Sequence, residues 1–182
     1  MDAESIGAAQ LGWVVAHEVR AHGGSRFLRK GGTIDAVALA RWQEVVPGEL
    51  HLIELEATDL HEDVAGGRVA DAVAGDGMRR KGPIQSRFNL ISERKGLLRV
   101  DEELLRSVNR VDGVTVFTLL DRQPVLPGKI VAGVKVTPIS VPEASIIEVE
   151  RLCAESARPP LVILPFQRKR VAVLATEGLN ER

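Results

Sequence analysis

PVLPGKIVAGVKVTP, residues 124–138, reads as turn, strand, tight turn, strand. Pro127-Gly128 is a turn dipeptide: proline fixes φ at one corner and glycine accepts a positive φ at the next. Ile130, Val131 and Ala132 form a short apolar strand, and Gly133 marks either a bulge or a close backbone approach. Val134, Lys135, Val136 and Thr137 alternate apolar and polar, which gives one buried face and one wet face. Working outward, VTVFTL at 114–119 is a β-branched strand after the Asp112-Gly113 turn, and Pro142 opens a helix whose first turn needs no proline N–H. Together these pieces form the closing half of a small barrel. None of them carries catalytic chemistry, so this region names a scaffold.

Composition bounds the answer. A chain of 182 residues holds one large domain or two small ones, and 45% hydrophobic content is ample for a core. Net charge is −1, so no global field draws the chain to nucleic acid or an acidic membrane. Aromatic residues make up 3% and tyrosine is absent, which leaves few stacking platforms for single strands. The single cysteine, Cys153, forms no intrachain disulfide, and the acidic start MDAESIGAAQLG is not a signal peptide, so the cytoplasm is the expected location. No apolar run approaches the ~20 residues of a membrane span.

The N-terminal third mixes short elements. LGWVVAHEV at 11–19 reads as a strand with His17 at its end, where it has no partner at a recognisable catalytic spacing. RFLRKGGTI at 26–34 reads as a basic hairpin turning at Gly31-Gly32; Arg26, Arg29 and Lys30 either grip an anion or protect a solvated strand edge. Asp35 caps a helix over 36–46, with Trp42 on its apolar face, and Pro47-Gly48 ends it. ELHLIELE at 49–56 alternates as a strand.

TDLHED at 58–63 invites a metal reading through His61, Glu62 and Asp63. Adjacent helical positions diverge, however, so these three cannot face one ion alone. The better reading is a capping box, with Asp59 as the cap and Glu62 three residues on, opening a helix over 60–74 that packs Val64, Ala65, Val69, Ala72 and Val73. Ala65, Gly66, Gly67 and Ala70 permit close approach of a neighbour. GDGMRRKGP at 75–83 reads as a basic loop that lacks the strand and long helix of a phosphate loop. Strands follow at 84–92 and 96–100. Arg87 and Asn89 lie two apart and share a strand face, so with Arg79 and Lys81 of the preceding loop they make the candidate anion-binding surface. No catalytic residue and no metal ligand is assigned.

Asp101 caps a helix over 102–109, and a last helix over 143–156 carries Cys153 as a packing residue. Arg158-Pro159-Pro160 marks a boundary. Beyond it, the apolar run at 171–175 has the character of a buried parallel strand, followed by Thr176-Glu177-Gly178. The expected class is α+β: a β-rich domain with inserted helices over 1–157, with a barrel-like sub-module at 82–142, then a linker and the first strand of a truncated α/β domain over 158–182.

The ordered series RKGGTI (29–34), DLHEDVAGGRVADAVAG (59–75), GPIQSRFNLISERKGLLRVD (82–101), VTVFTLLDRQPVLPGKIVAGVKVTPISVPE (114–143) and RVAVLATEG (170–178) resembles the N-terminal half of bacterial molybdopterin-binding proteins, relatives of the molybdopterin molybdenumtransferases of molybdenum-cofactor biosynthesis. The resemblance covers nearly the whole chain. It implies a segment similar to barrel-sandwich hybrids at 96–138 and a pterin-binding α/β domain downstream, which would hold the molybdopterin or molybdenum cofactor. On this reading the 182 residues are non-catalytic and bind no cofactor by themselves, and their partner is that downstream domain or a second copy of the chain. Nucleic acid and membrane are not expected partners. Two alternatives stay open: a structural or oligomerising module, and a small anion-binding enzyme using the basic stretch 79–89.

Overall fold

A computed structural model describes residues 1–174. The N-terminal lobe contains strands β1 (Val14–Val15), β2 (Val19–Arg20) and β3 (Arg26–Leu28), helix α1 (Ala36–Ala40) and strand β4 (Leu52–Ile53). The larger body follows with β5 (Asp59–His61), α2 (Glu62–Val73), β6 (Met78–Ile84), β7 (Arg87–Ser92), β8 (Gly96–Val100) and α3 (Glu102–Val108). It closes with β9 (Val114–Thr118), β10 (Pro124–Val125), β11 (Ile130–Val136), β12 (Ser140–Pro142), α4 (Glu143–Glu155) and β13 (Leu161–Pro165). The chain is therefore an α+β protein built on several small sheets.

Four strands in the order β6-β7-β11-β9 make the main sheet, and β10-β8-β13 make a second. All named pairings are antiparallel. Helices α2 and α4 pack beside the main sheet over a core that includes Val69, Val73, Leu90, Val134, Ile146, Val149 and Leu161. Each such fully buried aliphatic side chain contributes about 1.5–3 kcal/mol. The small residues of α2 act as expected: a Cβ on Gly66 would lie 3.1 Å from the Phe88 ring, and one on Gly67 2.6 Å from Arg80 Nη1. Two helical glycines cost about 1 kcal/mol each, yet they let the helix sit down on Phe88, over which Arg80 lies 5.2 Å from the ring centroid.

A separate core of Ala3, Val15, Val19, Ile34, Trp42, Val45 and Leu50 supports the N-terminal lobe. The expected strand over 11–19 is broken into β1 and β2. Val14 and Val15 are both fully buried, which a strand with one wet face cannot provide, and the chain changes partner after them, β1 pairing β4 and β2 pairing β3. The basic hairpin therefore turns at Gly23 and Gly24, both at positive φ, rather than at Gly31-Gly32. Asp35 caps α1 as read, accepting from Ala38 N at 2.7 Å. The helix expected over 36–46 is shorter: it tightens into a 3-10 turn at Trp42–Glu44, which carries the indole inward so that Nε1 donates to Ala3 O at 2.8 Å. The strand over 49–56 shrinks to β4.

Two further corrections concern the middle of the chain. Asp59 is not a helix cap: it lies in β5, paired with Pro142 of β12. His61 caps α2 instead, Nδ1 accepting from Asp63 N at 3.1 Å, and Val64 faces solvent while Glu62 is buried. The stretch 75–83, read as a loop, becomes strand β6 from Met78 onward. It is an edge strand, where proline, glycine and a run of cations are tolerated because one side needs no partner. Gly133 is a site of close approach: it pairs regularly with Asn89 and Phe117 and lies under the Phe117 ring, while the bulge in β11 falls between Ile130 and Ala132.

Pro159-Pro160 connects α4 to β13. After it, β13 adds to β8 from Leu161↔Val100 to Pro165↔Gly96. Residues 171–174 are unpaired, with Val171, Val173 and Leu174 exposed, so the part of the expected parallel strand that is described is not a strand. Ala175 and the turn at Thr176-Glu177-Gly178 lie outside the described residues.

Candidate functional site

Side-chain alternation and register decide where the basic residues point. In the β6–β7 hairpin Lys81 sits opposite Asn89, Arg79 opposite Ile91 and Ile84 opposite Arg87. Arg79, Lys81, Asn89 and Arg87 therefore share one face, the face turned away from Phe88, Leu90 and helix α2. Lys135 of β11 joins them, paired with Arg87, and Phe117 of β9 stands at the far end of the Asn89–Gly133 row. Arg79, Lys81 and Arg87 are exposed, whereas Asn89 is buried between Lys81 and Gly133. Among the described residues none of the three cations forms an ion pair.

A concave site lies around the end of the same sheet, where the N-terminal lobe meets the larger body. This cleft of about 810 Å³ is lined by Arg26, Arg29 and Lys30 from the lobe, Glu62 of α2, Gln85 and Ser86 at the hairpin tip, and Lys135, Thr137, Pro138 and Ile139. Ala16, Glu18 and Ile53 complete it. The volume is within the ~300–1,000 Å³ range of small-molecule sites.

Its floor is built around Glu62. The side chain is 7% exposed, and Ser86 Oγ donates to its Oε1 at 2.7 Å. Glu62 is the first residue of α2, where unpaired backbone N–H groups favour a carboxylate. Ser86 reaches it because Gln85 and Ser86 both take positive φ, 50° and 57°, as a two-residue antiparallel hairpin turn demands. Neither is the glycine or asparagine that usually fills such a turn, so backbone strain is held at the cleft wall.

The loop after β3 locks onto the same point. Gly31, at φ 74°, packs its Cα against Glu62, since a Cβ there would lie 2.6 Å from Oε1. Its carbonyl oxygen accepts from His61 Nε2 at 2.7 Å. With Nδ1 accepting from Asp63 N, both imidazole nitrogens are used if the proton is on Nε2. Arg29 forms an ion pair with Asp63. The His61, Glu62 and Asp63 side chains thus serve three separate structural tasks, and among the described residues no group of three His, Cys, Asp or Glu could hold a metal ion.

The remaining cations of the cleft, Arg26, Lys30 and Lys135, form no ion pair among the described residues. These three bring positive charge to the cleft from two walls, alongside the carboxylates of Glu18 and Glu62. The sequence left Arg26, Arg29 and Lys30 open between an anion grip and a charged strand edge, and Glu62, Ser86 and Lys135 join them at the cleft only through long-range pairing. A larger groove of about 1030 Å³ includes Asp76, Asp101, Glu102, Glu103 and Asp121 with Arg99 and Arg158 in its lining, and two of these acids have structural tasks. Asp101 caps α3, accepting from Leu104 N, and Asp121 accepts from Val100 N and Arg99 Nε. No protein-family model, curated protein or solved structure matches the chain.

Proposed function

We propose that this chain is the non-catalytic N-terminal part of a molybdopterin-binding protein acting in molybdenum-cofactor biosynthesis in the cytoplasm. The observation that carries the reading is convergence. Four segments of the ordered motif series, far apart in the chain, line one cleft: RKGGTI through Arg29 and Lys30, DLHED through Glu62, GPIQSR through Gln85 and Ser86, and VKVTPI through Lys135, Thr137, Pro138 and Ile139. A shared site is a reason for such a series to keep its order. The same reading takes residues 96–138 as a barrel-sandwich-hybrid-like segment, with β8 and β10 in one sheet beside β9 and β11 in the next. The pterin or molybdenum cofactor would be held chiefly by a downstream α/β domain, with that domain or a second copy of the chain as partner.

Deleting the gene in its host tests this reading. Loss of molybdenum-enzyme activity, with nitrate reductase as the readout, is the expected result, restored by the wild-type gene. Undiminished activity would overturn it. Tight, submicromolar binding of molybdopterin to the 182 residues alone would also overturn the assignment of the pterin site to a further domain.

A further inference from the structure

We propose that the outer face of the main sheet binds single-stranded nucleic acid, with phosphates on Arg79, Lys81, Arg87 and Lys135 and a base stacked on Phe117. The averages that speak against such a partner, a net charge of −1 and 3% aromatic residues, hide where the charge and the ring sit. Strands β6, β7, β9 and β11 contain no Asp or Glu, although the chain carries 25 acids. Four of their cations, Arg79, Lys81, Arg87 and Lys135, are exposed on the face turned away from α2, and none forms an ion pair among the described residues. The fifth, Arg80, lies on the other face, over Phe88 and beside Asp71. A surface of one sign attracts a polyanion.

Edge protection explains only part of this pattern. Arg79 and Lys81 lie on the edge strand β6, where cations keep sheets from pairing edge to edge. Arg87 and Lys135 lie directly opposite each other on the inner strands β7 and β11, where no edge needs protecting. Like charges side by side on a sheet are unfavourable until an anion joins them. The neighbouring row reads Lys81, Asn89, Gly133, Phe117 across the four strands. Asn89 keeps an amide at a buried position, and among the described residues that amide makes no hydrogen bond, although sheet packing alone would favour an apolar residue there. Phe117 is 48% exposed, and a Cβ on Gly133 would collide with its Cζ, so the ring leans across the sheet instead of standing off it. Such a ring is a platform for an unstacked base. Three strand spacings, about 14 Å, separate β6 from β9, so one nucleic-acid strand crossing the face reaches both the cations and the ring.

The proposal rests on the sheet face alone and is independent of the molybdenum-cofactor reading. The test is fluorescence anisotropy of the 182-residue chain with labelled oligothymidylate and oligouridylate of about twelve nucleotides, competed by inorganic polyphosphate or by phosphatidylserine vesicles. Both oligonucleotides are expected to bind with Kd on the order of 10 μM in low salt, and log K to fall with log salt at a slope of about −3, from about −0.7 for each neutralised phosphate. Phe117→Ala should weaken both about tenfold and leave polyphosphate binding unchanged, which also reports that the variant is folded. Arg87→Ala combined with Lys135→Ala should weaken oligonucleotide and polyphosphate alike and reduce the salt slope by about 1.4. No oligonucleotide binding at about 0.5 mM chain overturns the proposal. So does Phe117→Ala binding as the wild type does, or a salt slope that the double variant leaves unchanged. Polyphosphate or vesicles competing as well as unlabelled oligonucleotide at equal charge would make the face a general anion or membrane surface and overturn it too.

Discussion

Ser86 Oγ donates to Glu62 Oε1 at 2.7 Å and so ties the tip of the β6–β7 hairpin to the first residue of helix α2. The bond is buried and spans 24 positions of sequence. It holds a carboxylate at the floor of a cleft whose walls come from both lobes. Ser86→Ala leaves Glu62 buried without that donor. The expected cost at pH 7 is about 1–3 kcal/mol, measured by urea unfolding. A variant as stable as the wild type would show that the helix N-terminus alone stabilises the carboxylate.

Gly96 controls the seam between β8 and β13. A Cβ at this position would collide with the Leu164 backbone oxygen and lie 2.8 Å from Ile163 Cγ2. Neither atom is the free end of a flexible chain, so the pairing of Pro165 with Gly96 must open. Gly96→Ala is expected to destabilise the chain by about 2–3 kcal/mol and to raise amide exchange selectively along residues 161–165. Unchanged exchange there would show that the strand tolerates the methyl group.

Asp121 carries an acid-sensitive link. The Val100 backbone N–H at 2.8 Å, and then Arg99 Nε at 2.9 Å, hold its carboxyl below the usual carboxylate range. A depressed folded-state pKa contributes stability above the unfolded value, near 3.9, and that stability is lost as pH falls through the folded value. The wild type should therefore exceed Asp121→Asn in stability at pH 7, and the two should converge as pH drops below about 4. A stability difference that stays constant down to pH ~2 would contradict this link.

Cys153 lies on the buried face of helix α4, 9% exposed, and burial pushes its thiol up to about 11. At pH 8 its thiolate fraction is about a hundredfold below that of a free cysteine. A disulfide reagent should label the native chain at least about 100-fold more slowly than the urea-unfolded chain. Equal rates would mean that α4 lifts from the body readily.

Parts of this architecture are legible residue by residue. Asp35 and Asp101 cap helices because each places a short carboxylate three residues before an open backbone N–H, at 2.7 and 3.0 Å. The strands around residues 87–100 and 114–136 follow from β-branched alternation, and α4 from its apolar spacing. The four residues singled out as an anion surface, Arg79, Lys81, Arg87 and Asn89, share a face because strand periodicity is two, even though the first pair was read as loop. The pattern Arg-Arg-Lys-Gly-Pro hides β6, since an edge strand carries neither continuous apolar residues nor a full set of ladder hydrogen bonds.

The cleft belongs to the other category. Local sequence shows that Arg29 and Lys30 precede a glycine turn, but Gln85 and Ser86 read as part of a strand over 84–92, and only the structure makes them the turn between β6 and β7. Nothing local says that Gly31 rests on Glu62, or that His61, two residues after Asp59, caps α2 while its Nε2 bonds a loop 30 positions away. Those pairings are set by the packing of the two lobes and by sheet register, which depend on the summed burial of distant side chains. Periodicity, capping and turn chemistry act over a few residues and determine the elements; only long-range burial and pairing decide which side chains meet across the cleft.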